Sequence, residues 1–130
     1  MLGFPRGTVI TTDQGNVDIE AIDSSYHTIN GDTIVAVTEL LPTDTRLVCF
    51  TKDAFKPGYP SVATFMSPHH HVFCLGRMMP AEHFVGKFKG IGLLQDYNKK
   101  LYNVVTAEHR MMLVNNLTCE TGYFYAPSID

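Results

Sequence analysis

The chain is short of several things, and each shortage removes a class of protein. In 130 residues, the ten Lys and Arg do not outnumber the thirteen Asp and Glu, and the net charge is −3. A broad nucleic-acid footprint needs a basic surplus or stripe, so no nucleic-acid partner is expected. The densest basic cluster, Lys87, Lys89, Lys99 and Lys100, reads as solvated surface. No apolar run approaches the roughly 18 residues of a membrane helix, so no membrane partner is expected either. Only three cysteines occur, Cys49, Cys74 and Cys119, without paired spacing, which argues against a disulfide framework. The opening Met1-Leu2-Gly3-Phe4-Pro5-Arg6 has no apolar core of a secretion signal. A reducing compartment such as the cytoplasm, or a virion, is the expectation. Catalytic signatures are missing too. There is no Gly-x-Ser-x-Gly elbow and no Walker-type or dinucleotide glycine loop around Gly86, Gly90 and Gly92. No CxxC or HExxH spacing is present.

What is present is a core's worth of apolar residues. Hydrophobic residues make up 45% and charged residues 18%, enough apolar chain for one domain and too much for disorder. The pattern is β throughout. Val9-Ile10-Thr11-Thr12 is a β-branched run closed by the turn Asp13-Gln14-Gly15-Asn16. Val17 to Ile22 alternates apolar and polar as a half-buried strand does. Asn30-Gly31 lies between His27-Thr28-Ile29 and Thr33–Thr38, a strong hairpin signal. Further strand candidates are Arg46–Thr51, Val62–Met66, Val72–Leu75, Leu101–Thr106 and Met111–Val114, the last turning at Asn115-Asn116 into Leu117-Thr118-Cys119. Helical signals are weak. Pro80–Val85 can form one short turn, with Pro80 at its start and Gly86 as its stop. The expectation is an all-β fold of short strands with at most one or two short helical turns.

Chemistry concentrates at Ser67-Pro68-His69-His70-His71. Alternation in extended chain would put His69 and His71 on one side and His70 on the other. The corner reads as a metal site, as a proton-transfer histidine, or as a polar corner with exposed imidazoles. Cys74, His83, His109 and Cys119 are the residues that would have to join it in a metal site, and their spacing gives no support. Cys49 and Cys74 sit inside apolar strands, where inert thiols are usual. No metal and no cofactor are expected.

The order of motifs resembles the Hint superfamily, which covers hedgehog autoprocessing domains, inteins and bacterial intein-like domains. The likeness is greatest to bacterial intein-like or viral Hint domains. Gly3-Phe4-Pro5-Arg6-Gly7-Thr8-Val9-Ile10-Thr11-Thr12, followed by Gly15 to Ile22, is similar to the first block, Cys-Phe-x-x-Gly-Thr-x-Val-x-Thr and Gly-x-x-x-Ile-Glu-x-Ile. Ser67-Pro68-His69-His70-His71-Val72 is similar to Thr-Pro-x-His-Pro-Val. Ala81 to Lys87 resembles Ala-x-Glu-Leu-x-x-Gly-Asp, and Leu101–Thr106 with His109 and Leu113–Leu117 resembles the late block. The resemblance runs over residues 3–121. It implies a pseudo-twofold β horseshoe that brings the two chain junctions together, a flank at residues 1–2 and a tail at 122–130.

It also implies an activity, self-processing by acyl shift. In the family a first-position cysteine attacks the preceding carbonyl and forms a thioester, a covalent route that splits one step into two. The second-block histidine, here His70, protonates the departing nitrogen as general acid, and the hydroxyl at Ser67 orients the amide. Asn103 stands where the late block has aspartate, and His109 where it has histidine. The partner so implied is a fused flanking segment or another protein. The chain departs from the pattern where the reaction starts. Gly3 occupies the place of the nucleophilic cysteine and has no side chain to attack with. Thr121 stands near the terminal asparagine place, with no His-Asn pair. Either the cysteine has been replaced to block cleavage or the domain has naturally lost the reaction, and the missing asparagine leans toward loss. The resemblance thus implies a silent self-processing domain. The alternative is a structural or interaction module of a larger assembly such as a virion.

Overall fold

A computed structural model describes residues 2–123. Met1 of the expected flank and residues 124–130 of the expected tail lie outside the described residues. The strands are β1 (Phe4–Pro5), β2 (Val9–Thr12), β3 (Gly15–Asp18), β4 (Thr28–Ile29), β5 (Asp32–Leu40), β6 (Leu47–Phe50) and β7 (Thr64–Met66). They continue with β8 (His71–Cys74), β9 (Arg77–Pro80), β10 (Ile91–Leu94), β11 (Leu101–Thr106), β12 (Met111–Val114), β13 (Leu117–Glu120) and β14 (Gly122–Tyr123). Two 3-10 turns, Ile19–Ala21 and Ala81–Phe84, are the helical content among the described residues. The fold is all β, as the sequence pattern implies.

Local chemistry accounts for the hairpins. Asn30 and Gly31 both have positive φ, 49° and 81°, as do Asn115 and Asn116 at 47° and 71°. Such paired left-handed residues match the twist of the strands they join, here β4 to β5 and β12 to β13. A third turn of the same kind joins β8 to β9 through Leu75 and Gly76. The expected strand over Val17–Ile22 is corrected by the structure. It ends at Asp18, and Ile19–Ala21 coils into a 3-10 turn. Tertiary contacts override the alternation there. Ile19 N–H donates to Thr8 O, Glu20 Oε1 accepts from Gly7 N–H, and the turn drops Ile19 fully into the core. Strands β9 and β10 have no counterpart in the sequence reading.

The strands form three sheets. One has the order β3-β2-β12-β13-β8-β9, a second β10-β6-β7, and a third β1-β11-β5-β4 with β14 also on β11. Their inner faces bury Phe4, Ile10, Ile19, Val48, Phe50, Met66, Val72, Val104 and Val114 in one core. The third sheet places the site. Strand β5 covers one edge of β11 from Leu101 to Thr106. Both β1, paired at Leu101 and Tyr102, and β14, paired at Val105 and Thr106, therefore share the other edge. They lie in line along it and do not pair with each other. Continuing each register by one residue sets Gly3 opposite Asn103 and Thr121 opposite Val104. Gly3 and Thr121 thus meet at the middle of one strand.

Candidate active site

The Ser67–His70 corner connects β7 to β8 and is tied to the chain's beginning by a reciprocal pair of hydrogen bonds. Gly3 N–H donates to Ser67 Oγ at 3.0 Å. Ser67 N–H donates to Gly3 O, also at 3.0 Å. The first of these grips the amide nitrogen of the Leu2–Gly3 peptide. The corner itself is held by His70 N–H to Ser67 O at 3.1 Å. The 3-10 turn after β9 secures it from outside, with Ala81 N–H on His70 O at 2.7 Å and Glu82 N–H on Pro68 O at 2.9 Å. This is why Pro80 and the short turn follow so soon after the histidines.

His70 is fully buried, and its ring lies 4.4 Å from the ring of Phe4, the residue after Gly3. Nε2 is 3.0 Å from the carbonyl oxygen of Glu120, and Nδ1 has no partner among the described residues. A carbonyl only accepts, so neutral His70 carries its proton on Nε2 and leaves the Nδ1 lone pair bare. Burial pushes the His70 pKa down to about 4 against the weaker, opposite pull of the Glu120 carbonyl. His70 is therefore neutral near pH 7. Its bare nitrogen is a proton acceptor in a dry site beside the first strand.

The terminal strand supplies the other wall. Glu120, 8% exposed, follows Cys119 in β13 and holds two imidazoles with one carboxylate. Oε1 is 2.8 Å from His71 Nδ1 and accepts His71 N–H at 3.1 Å. Oε2 is 2.7 Å from His109 Nε2. Burial pushes this carboxyl up, but the hydrogen bonds from His109 and His71 outweigh it and hold the group below its ordinary range. Thr121 is buried. Its hydroxyl is 2.8 Å from Thr106 Oγ1 and accepts Arg110 N–H at 2.9 Å, while its own N–H donates to Arg110 O at 2.7 Å. Thr106 lies on β11 next to the residue paired with Gly122, and opposite it the β5–β11 register shifts, leaving Val35 of β5 unpaired.

The residues singled out from sequence fall into linked groups. Gly3 and Ser67 touch directly, and His70 joins them through Ser67 and Phe4. Asn103 is buried on β11 between the two junctions, with its side-chain oxygen unpartnered and Nδ2 2.9 Å from where a Cβ on Gly122 would stand. His109 does not touch the Gly3–Ser67 pair and is linked to His70 only by way of Glu120. His69 faces outward, its Nδ1 3.4 Å from Glu82 Oε1. Sequence reasoning missed Glu120. Its one signal was a carboxylate inside an otherwise uncharged terminal strand.

Position 3 is crowded as well as bare. A Cβ built there would stand 2.9 Å from Tyr102 O and 3.1 Å from Leu101 Cβ, so any side chain requires the β1–β11 pair to shift. Among the described residues, no three His, Cys, Asp or Glu side chains are arranged to hold a metal ion. Cys119 is fully buried, and burial pushes its thiol pKa up, which leaves it un-ionised and unreactive.

No family model matches the chain, and no curated protein matches its sequence. Solved structures do. A bacterial intein-like domain from Clostridium thermocellum superposes with a TM-score of 0.66 at 16% identity, over 94% of this chain and 99% of that one. A splice-inactive variant of the AceL NrdHF class 3 split intein superposes with a TM-score of 0.57 at 14% identity, over 92% of this chain and 97% of its own. The gp41-1 intein gives 0.54 at 11% identity, over 94% and 98% of the two chains. At such identities the likeness speaks for architecture, and with its strand order and converging ends the chain has the Hint-type fold of inteins and intein-like domains.

Proposed function

We propose that the chain is a self-processing domain of the Hint type that is silent at its N-terminal junction. The observation that carries this reading is the state of position 3. The Leu2–Gly3 amide is gripped by Ser67, and buried His70 packs on Phe4 one residue further on, yet no nucleophile is present and Tyr102 O stands 2.9 Å from where a Cβ would go. An acyl shift needs a thiol or hydroxyl on the residue whose nitrogen departs. Glycine provides neither, so the amide is held and not attacked. In this reading Ser67 orients the Leu2–Gly3 peptide, and His70, bare at Nδ1, would take up there the proton of an attacking thiol or hydroxyl and pass it to the leaving nitrogen, a relay that Gly3 leaves without its proton source. Asn103 and His109 belong to the terminal half of the same site, the first between the junctions and the second on the Glu120 carboxylate.

A folded tag fused before Leu2 tests the proposal. The fusion that keeps Gly3 is expected to stay intact in dithiothreitol, and thiol-dependent release at the Leu2–Gly3 bond overturns the silence. In the same fusion Gly3→Cys restores the nucleophile at the expense of crowding against Tyr102. Slow release that His70→Ala weakens by about 10²–10⁴-fold supports a retained processing site. A second reading, a non-catalytic interaction module, is favoured by that same crowding, which builds the loss of chemistry into the β1–β11 pairing. A folded Gly3→Cys fusion that shows no release, with His70→Ala changing nothing, selects this second reading.

A further inference from the structure

Away from the Gly3–Ser67–His70 site, an apolar groove of about 290 Å³ is lined by Phe55, Tyr59, Phe73, Leu75 and Phe88, with Lys56 among them. Tyr59 is 40% exposed and Phe73 41%, and Leu75, at the tip of the β8–β9 turn, is 88% exposed. Leu75 is also in the wrong backbone conformation for a leucine. Its φ is +53°, the left-handed region that asparagine and glycine tolerate and that costs a leucine backbone strain. The corresponding first positions of the other two paired left-handed turns are Asn30 and Asn115. Folding asks for asparagine, aspartate or glycine there, and nothing in the core is gained from a side chain that solvent surrounds. A strained, fully presented leucine beside two half-exposed aromatic rings is a contact surface, not a packing device.

The charge around the groove says what it contacts. Lys56 Nζ sits 4.6 Å from the centroid of the Tyr59 ring, which holds the ammonium over the groove. Arg77, exposed, is the cross-strand partner of Cys74, which also lines the groove. Among the described residues neither Lys56 nor Arg77 has an ion-pair partner, and no carboxylate lines the groove. The chain as a whole is acidic, with a net charge of −3, so this is a cationic rim on a negative molecule. A twofold contact between copies would set Lys56 and Arg77 against their own kind, which disfavours a second copy of this chain as occupant. We propose that the groove docks a segment of another protein in which one apolar side chain is flanked by carboxylates. The apolar side chain packs on Leu75, Phe73 and Tyr59, and the carboxylates take Lys56 and Arg77. This surface is independent of whether the Leu2–Gly3 bond can be cleaved.

The test is selection of a random displayed-peptide library on the immobilised full chain, followed by fluorescence anisotropy with the synthetic winners. The expected winners place Leu, Ile or Phe beside Asp or Glu, and their affinity falls with added NaCl. Leu75→Gly suits the left-handed turn, so its Tm should be no lower than that of the parent, while peptide affinity drops by about tenfold or more. Lys56→Glu should weaken binding comparably and remove most of its salt dependence. The proposal is overturned if no peptide is enriched, if the winners lack acidic residues, or if Leu75→Gly binds them as tightly. A concentration-dependent dimer in sedimentation that Leu75→Gly abolishes overturns it in favour of self-association.

Discussion

Acidification should destabilise this protein through one residue, His70. Its ring is fully buried, and burial lowers its pKa from 6.5 to about 4. The sign follows from where the proton binds. Below its ordinary pKa the unfolded chain takes up a proton that the folded chain refuses, so stability falls as pH drops and is restored as pH rises. With 6.5 for the unfolded and about 4 for the folded state, linkage gives a loss of about 2 kcal/mol between about pH 7 and about pH 5. It approaches roughly 3 kcal/mol near pH 4. Glu120 does not confuse this window. Its folded pKa is lowered, so its contribution persists above the unfolded carboxyl value and is lost only at more acid pH. Urea unfolding of the parent and of His70→Gln isolates the effect. With an m-value of about 1–3 kcal/mol/M, the parent midpoint should fall by about 1 M over that window more than the variant's does. NMR titration should place the His70 ring well below the free imidazole range, with Nε2 as the protonated nitrogen. Equal loss of stability in the two proteins, or a His70 titration at an ordinary value, would refute the account of a dry, Nε2-protonated imidazole.

Three further perturbations read the same site. Gly3→Ala puts a methyl against Tyr102 O, a backbone atom that cannot swing aside, and should cost about 1–3 kcal/mol in urea unfolding; stability equal to the parent's would show that the strand pair gives way freely. Ser67→Ala leaves the buried Gly3 N–H without its acceptor and should cost about 1–3 kcal/mol, with Ser67→Thr recovering most of it because the hydroxyl returns; equal losses in both variants would mean that packing, not the hydrogen bond, holds the junction. Glu120→Ala frees His71 and His109, and its penalty, about 1–2 kcal/mol at neutral pH, should fade as the parent's Glu120 protonates in acid; a penalty that persists unchanged at low pH would contradict a charge-dependent clamp.

Much of this protein was legible in its sequence, because the strand signals are local. Leu101–Thr106 and Met111–Val114 appear in the structure with the bounds the pattern implies, and Asn30-Gly31 and Asn115-Asn116 turn as paired left-handed residues must. The short turn after Pro80 was legible as well, since it depends on residue type at fixed spacing, whereas the choice of Ser67 and His70 within their corner came from the resemblance to the Hint motifs. Tertiary structure decided the rest. Ile19 leaves the strand where Thr8 O accepts its N–H and Gly7 N–H donates to the Glu20 carboxylate, both partners distant in pattern but near in space. Leu75 occupies a left-handed turn that its own propensity opposes, and only the register of β8 with β9 forces it there. Glu120 becomes the centre of the terminal half only when β13 lies beside β8, which brings His71, His109 and the His70 ring to one carboxylate and one carbonyl. The absence of a nucleophile at Gly3 is a sequence fact. That a side chain there would meet Tyr102 O follows from the pairing of β1 with β11, a contact between residues about a hundred positions apart that no local pattern encodes.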